Sequence, residues 1–271
     1  MKAFVLDRDV LRASGPDATE FLQGQLSQDV ANLGERDSAW SFLLQPQGKV
    51  EALVRVTRMA GDEWLLDVDG GYGEPVKARL ERFKLRVKCE IEPLDWGCVA
   101  LRDWPGGGLF GLGVAARWPA HDGIDLLGPG VEPPEDADIG TVEEYERLRI
   151  EAGWPAMGAE LTDGTIPNET GLVDLAVSFT KGCYTGQELV ARIDSRGGNV
   201  ARHLRGVVLD GPGPSSGASI EVDGKVVGTL TSVAGDVALG YVGRAVEPPA
   251  ETVVVGEDGS VAAQIRPLPL V

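Results

Sequence analysis

A thiol and an ammonium group stand two residues apart in KGCYTGQE, residues 181–188. Lys181 and Gly182 precede Cys183, Tyr184 and Thr185 follow it, and Gly186 leads into Gln187 and Glu188. Only the thiolate form of cysteine is a strong nucleophile or metal ligand, and nearby positive charge or a helix N-terminus favours that form. The two glycines permit a sharp loop, QELVARI supplies helix formers, and Gly197-Gly198 supplies a stop. The spacing therefore predicts Cys183 at, or about one turn before, the start of a helix. A helix dipole contributes roughly 0.3–1 kcal/mol, less than one pKa unit, so stronger activation requires Lys181 to face the sulfur. A protease-type nucleophile also needs a base within hydrogen-bond reach. His203 is a candidate, although nothing in the spacing aligns it with Cys183 and a surface position is the simpler reading. On these residues alone the segment reads either as a moderately activated thiol site or as a structural loop whose glycines serve packing.

The remaining thiols offer no second centre. There are three cysteines, at 89, 98 and 183, with no CxxC pair and only two histidines, His121 and His203. That set has no zinc spacing and too few thiolates for a self-contained iron–sulfur site. Cys89 and Cys98 lie in apolar strand-like runs and read as small core residues. An odd, scattered set of cysteines also fits a reducing compartment. GGGLFG, residues 106–111, matches GxGxxG, but no helix pattern follows it and a dinucleotide site is excluded.

Elements that would position the thiol loop are readable from periodicity. Gly15-Pro16-Asp17 opens a helix over ATEFLQGQL. SAWSFLLQ and VEALVRVTRM flank a turn at residues 46–49, and WLLDV is a third strand. Val76, Leu80 and Phe83 form a helical stripe in EPVKARLERFKLR. VKCEIE and CVALRDW are strands. Thr141 with Glu144 makes a capping-box signature for a helix that ends at Gly153. Residues 128–138 read as an exposed connection. Beyond Arg205 come short β-like runs with a tight hairpin at Asp223-Gly224, which predicts a small barrel. The pattern is α+β.

Composition sets the limits. The chain has 271 residues, 43% apolar, with a formal charge of −17. No run approaches the roughly 18 apolar residues a membrane-spanning helix needs. Asp7, Arg8 and Asp9 interrupt the N-terminus before a secretory signal develops, so a cytoplasmic location is expected. The acidity argues against nucleic-acid binding. Two basic islands stand out: six cations against one acid between Lys77 and Lys88, and five against two from Lys181 to Arg205. Either each is a solvated face or it meets an anionic ligand.

KGCYTGQE resembles the signature K-G-C-[FY]-x-G-Q-E of the folate-binding YgfZ family, relatives of the aminomethyltransferase (T-protein) of the glycine cleavage system. FLQGQLSQDV, QPQGKV, RLRIEAGWPAMGAEL, IPNETGL and VGTLTS carry the resemblance along the whole chain. It implies a T-protein-like fold: a two-part α+β body over residues 1–205, divided near 135/136, around a central folate pocket, with a C-terminal β-barrel over 206–271. It also implies tetrahydrofolate or a one-carbon derivative as cofactor, and a role in the assembly or repair of iron–sulfur proteins, including those of tRNA modification. The expected partners are folate and iron–sulfur proteins or their assembly machinery, with no membrane or nucleic acid. Carried over by position, Cys183 and Lys181 are the chemical pair, and Gly182, Tyr184, Gly186, Gln187 and Glu188 complete the loop. Glu151 matches the glutamate expected to accept the pterin N–H donors, and Arg192 or the cations of residues 77–88 are candidates for the glutamyl tail. One stretch departs: T-protein-like enzymes carry N-A-x-x-x-x-x-D where residues 68–75 read VDGGYGEP, which speaks against glycine-cleavage chemistry. The alternatives are a folate-dependent aminomethyl- or methyltransferase acting on a small amine, and a purely structural partner-binding module.

Overall fold

The computed structural model describes residues 1–104, 111–121, 123–257 and 259–271. Residues 106–110 of the GxGxxG match lie outside the described residues. The first part of the body runs β1 (Lys2–Leu6), β2 (Arg8–Ser14), α1 (Ala18–Gln25), β3 (Ser38–Leu44), β4 (Val50–Arg58), β5 (Glu63–Asp69) and α2 (Gly73–Phe83). It continues with β6 (Glu90–Leu94), β7 (Gly97–Arg102), β8 (Leu112–Ala115), β9 (Gly123–Gly128) and β10 (Asp138–Ile139). Then follow α3 (Val142–Ala152), α4 (Val173–Ala176) and α5 (Gln187–Asp194). The C-terminal part is β11 (Arg202–Leu209), β12 (Ser219–Val222), β13 (Lys225–Ala234), β14 (Val237–Gly243), β15 (Ala250–Gly256) and β16 (Gly259–Arg266). No helix among the described residues is long and apolar enough to cross a membrane.

Two five-stranded sheets form the body, ordered β3-β4-β5-β2-β6 and β10-β1-β7-β9-β8. In the first sheet, period-2 alternation sorts the side chains. Leu11, Ala13, Val54, Val56, Trp64 and Leu66 pack against Phe21 and Leu22 of α1 and Val76 and Leu80 of α2. The opposite face carries Trp40, Phe42, Leu44 and Leu53 into a second core with Trp154, Tyr184 and Val190. β3 is thus covered on both faces, which explains its near-continuous apolar run. Cys89 and Cys98 are buried, and burial pushes the Cys98 thiol up to about 12.

Thr141 and Glu144 cap α3 reciprocally, with the Glu144 N–H donating to Thr141 Oγ1 at 3.2 Å and the Thr141 N–H donating to Glu144 Oε2 at 3.0 Å. Gly153 ends the helix at φ 71°. The last six strands close a barrel, and Asp223 and Gly224 both adopt positive φ between β12 and β13, as a tight hairpin requires. The barrel begins with β11 at Arg202, so a boundary at 205/206 falls inside its first strand. The fold is α+β, a two-sheet body joined to a small β-barrel.

Candidate functional site

The alternation that buries one face of the first sheet puts charge on the other. Arg8 of β2, Arg55 of β4 and Asp67 of β5 share that face, and Arg55 stands directly opposite Asp67 in the ladder. Arg8 Nε donates to Asp67 Oδ1 at 2.7 Å and Arg8 Nη1 to Asp69 Oδ1 at 2.8 Å. Arg55 donates to both Asp67 oxygens at 3.0 Å. It also reaches Asp125 of β9 at 2.7 Å, and Arg102 of β7 donates to the other Asp125 oxygen at 2.8 Å. This buried ladder ties the two sheets together. Burial opposes the charges on Arg8 and Arg55, but Asp67, with Asp69 for the one and Asp125 for the other, outweighs it and raises both. Burial likewise opposes the Asp125 carboxylate, yet Arg55 and Arg102 hold it below its ordinary range.

Beside the ladder lies a cavity of about 190 Å³, walled by Arg8, Asp69, Trp40, Trp118, Tyr145 and Trp154, with Glu146 and Arg149 of α3 also lining it. Trp118 stacks on Trp154 with centroids 5.8 Å apart, Trp40 tilts against Trp154 at 4.7 Å, and Tyr145 meets Trp118 at 5.3 Å. Arg8 Nη2 is buried at this wall with no acceptor. A ring system with apolar faces and a hydrogen-bond acceptor on its edge matches that lining.

The thiol loop is placed differently from its sequence reading in one respect. Cys183 is exposed and lies in the loop ahead of α5, whose N-cap is Gly186 at φ 83°. The Lys181 ammonium, however, is turned into the protein. Its Nζ is buried and donates to the carbonyls of Gln23, Leu26 and Gln28 at 2.5, 2.7 and 3.0 Å. It therefore anchors the loop on the C-terminal end of α1. Burial pushes the ammonium down to about 8. A Cβ at Gly186 would fall 2.6 Å from the Gln45 carbonyl oxygen, so the loop rests on the residue 45–49 turn with no room for a side chain. Gly182 and Glu188 are exposed and Gln187 is half-buried, while Tyr184 packs in the core cluster that contains Trp40 and Trp154.

Two of the expected binding residues lie away from this cavity. The Glu151 carboxylate does not line the cavity, because Arg147 Nε holds it at 2.8 Å and His121 lies at 3.4 Å. On α3 the carboxylate at the cavity is Glu146, about one and a half turns earlier and held by Arg149 Nη2 at 2.8 Å, and Asp7, Asp69 and Asp125 also line the cavity. Arg192 lies in the last turn of α5, exposed and away from the cavity lining. His203 sits on β11, and among the described residues Cys183 makes no hydrogen bond to it or to any other base. The residues missed, Arg8, Trp40, Trp118, Tyr145 and Trp154, come from five separate stretches. Their only sequence signal is an aromatic residue or arginine in an otherwise apolar or acidic run. No group of three or more metal-binding side chains occurs among the described residues.

Comparison with known proteins fits this architecture. Residues 202–263 match the model for "CAF17, C-terminal beta-barrel domain". The mouse mitochondrial iron–sulfur cluster assembly factor IBA57 is 30% identical over 275 residues, covering 87% of this chain and 76% of that protein. The tRNA-modifying protein YgfZ of Klebsiella pneumoniae is 29% identical, covering 69% of this chain and 65% of that protein. The solved aminomethyltransferase T of the glycine cleavage system from Bartonella henselae superposes with a TM-score of 0.84 at 23% identity, over 100% of this chain and 86% of that one. The chain therefore belongs to the IBA57/YgfZ family, built on the aminomethyltransferase fold.

Proposed function

We propose that this protein is a folate-binding factor in iron–sulfur cluster assembly or repair, with Cys183 as the residue that handles sulfur or a cluster intermediate. The name of its mouse relative supports the assembly role, and that of its Klebsiella relative points to tRNA modification. The observation that carries the folate is the aromatic cavity with an unsatisfied buried donor, Arg8 Nη2. Its volume of about 190 Å³ is below the roughly 300–1,000 Å³ of sites that enclose drug-sized ligands. It suits the bicyclic head of a folate, with the rest of the molecule leaving the cavity. Trp40, Trp118, Trp154 and Tyr145 would pack the ring, Arg8 would donate to its edge, and Glu146 would face its N–H groups. Bound tetrahydrofolate supplies a one-carbon carrier. The cluster or its sulfur is cargo, and a single exposed thiolate suits transfer better than storage, since a cluster needs several ligands.

The aminomethyltransferase alternative is weaker. Asp69, in the departing stretch of residues 68–75, lines the cavity, but both its oxygens are engaged, one by Arg8 and the other by the Met157 N–H at 2.9 Å. That commits it to holding Arg8 and the residue 157 backbone in place.

Calorimetric titration of the whole protein with tetrahydrofolate, alongside complementation of a strain lacking its own assembly factor, tests both parts. Cys183→Ser is expected to bind tetrahydrofolate as the parent does and to fail in complementation. Absence of any folate binding or thermal stabilisation removes the folate from the reading. Full complementation by Cys183→Ser removes the thiol.

A further inference from the structure

A second concavity, of about 540 Å³, opens on another side of the first sheet, between the residue 45–47 turn and α2. Pro46, Pro75, Ala78 and Phe83 make part of its wall apolar, and Arg79 and Arg82 bring two cations to it. Arg79 is 7% exposed. Its Nη2 donates to the Leu44 carbonyl at 2.8 Å and its Nη1 to Gln25 Oε1 at 3.2 Å. The guanidinium lies 3.7 Å from the Phe83 ring centroid. Its Nε is buried with no acceptor. A buried guanidinium N–H left unpaired costs free energy that an incoming acceptor would recover.

The surrounding charge points the same way. Within the basic island Lys77 and Lys84 are matched by Glu74 and Glu81. Arg82, Arg86 and Lys88 have no ion pair among the described residues and are exposed. One acid, Glu51, shares the wall, and it offsets only part of the positive charge. Leu85 is 83% exposed between Lys84 and Arg86, so the positive strip also carries an unburied apolar side chain. On a chain of net charge −17, an acidic partner would be steered to this face or to the second basic island, from Lys181 to Arg205, and only this face joins its cations to an apolar groove.

The concavity also backs onto the thiol loop. Its Gln45 supports Gly186, and Gln25 Oε1, which holds Arg79, receives a long contact of 3.5 Å from Thr185 Oγ1. We propose that this groove is the docking site for an acidic segment of a partner protein. A carboxylate of that segment is seated between Arg79 Nε and the Arg82 guanidinium, and apolar residues of the same segment cover Phe83 and Pro75. The partner is then held against the element that supports Cys183. This inference does not depend on the folate cavity being occupied.

Fluorescence anisotropy of a labelled peptide of alternating glutamate and leucine, titrated with the whole protein, tests it. Arg82→Glu is expected to weaken binding about tenfold, the scale of one charge-assisted hydrogen bond. Arg79→Lys, which keeps the charge but removes the Nε donor, is expected to weaken it in the same direction, whereas Arg192→Glu on α5 leaves it unchanged. Unchanged affinity in Arg82→Glu, or an equal loss in Arg192→Glu, overturns the assignment by reducing it to general surface charge. A second arm compares tetrahydrofolate with its polyglutamylated form. If Arg82→Glu weakens only the polyglutamylated ligand, the groove holds a folate tail and the docking assignment falls. Unchanged affinity for both folates keeps the peptide assignment intact.

Discussion

Arg8 commits Nε and Nη1 to Asp67 and Asp69 and keeps Nη2 unsatisfied at the cavity wall. A donor fixed in this way discriminates by edge chemistry, since a ring carbonyl accepts from it and an amino group at the same position does not. Tetrahydrofolate, with its 4-oxo group, is therefore expected to bind about tenfold more tightly than its 4-amino analogue. Arg8→Lys should shrink that ratio towards unity, as read by calorimetry. An unchanged ratio in Arg8→Lys would place the ring differently. Arg8 is not legible as a site residue, because in LDRDV it is one charge among three and its partner Asp67 lies 59 positions away. That Glu151 stands outside this cavity is not legible for a related reason. Sequence shows that a carboxylate sits near the end of α3 but not which side of the helix its neighbours occupy, and Arg147, one turn before, takes it away from the cavity.

The loop over residues 178–186 is held as an element by one cation and two backbone bonds. Besides Lys181, the Ser178 N–H donates to the Ser27 carbonyl at 2.9 Å and the Thr185 N–H to the Gly24 carbonyl at 3.1 Å. The final carbonyls of a helix are unpaired acceptors at the negative end of its dipole, and Lys181 supplies the cation they lack. This has a pH signature. The folded-state value of about 8 lies below the ordinary lysine value of 10.5, so between those values the unfolded chain binds more protons than the folded one. Stability of the parent relative to Lys181→Met should rise with pH across that window and be flat below it, as read by urea midpoints at several pH values. A flat difference throughout would mean the ammonium is better solvated than its burial implies. Most of these elements are readable from the chain: the α3 capping box, the stripe of α2 and the Asp223-Gly224 hairpin all obey local rules. The direction of Lys181 is not, because its three acceptors lie more than 150 residues earlier in the chain.

At the scale of the whole molecule, Glu160 joins body to barrel. Fully buried, its carboxylate accepts from Arg149 Nη1 at 3.0 Å, the Ala156 N–H at 2.9 Å, and Thr231 and Ser232 of β13 at 2.6 Å each. Around this junction Ile150 packs with Leu204, Leu239 and Tyr241 of the barrel. Glu160→Ala removes one of the two carboxylates that pair with Arg149 and takes an acceptor from the Thr231 and Ser232 hydroxyls, and should cost about 1–3 kcal/mol in equilibrium unfolding. Loss of less than about 1 kcal/mol would mean that apolar contact alone carries the joint. The division into an α+β body and a barrel can be read from the change of texture past Arg205, yet the joint cannot. It is made by one acid in the middle of a long irregular stretch, whose acceptors are filled from both sides only after the chain has folded.

The exposure of Cys183, set against the burial of Cys89 and Cys98, means that the folded protein should consume one equivalent of a thiol-titrating dye, and the denatured chain three. A spin label or fluorophore attached in the native state would then mark the loop selectively without any engineering. It would report when a ligand or a partner arrives beside it.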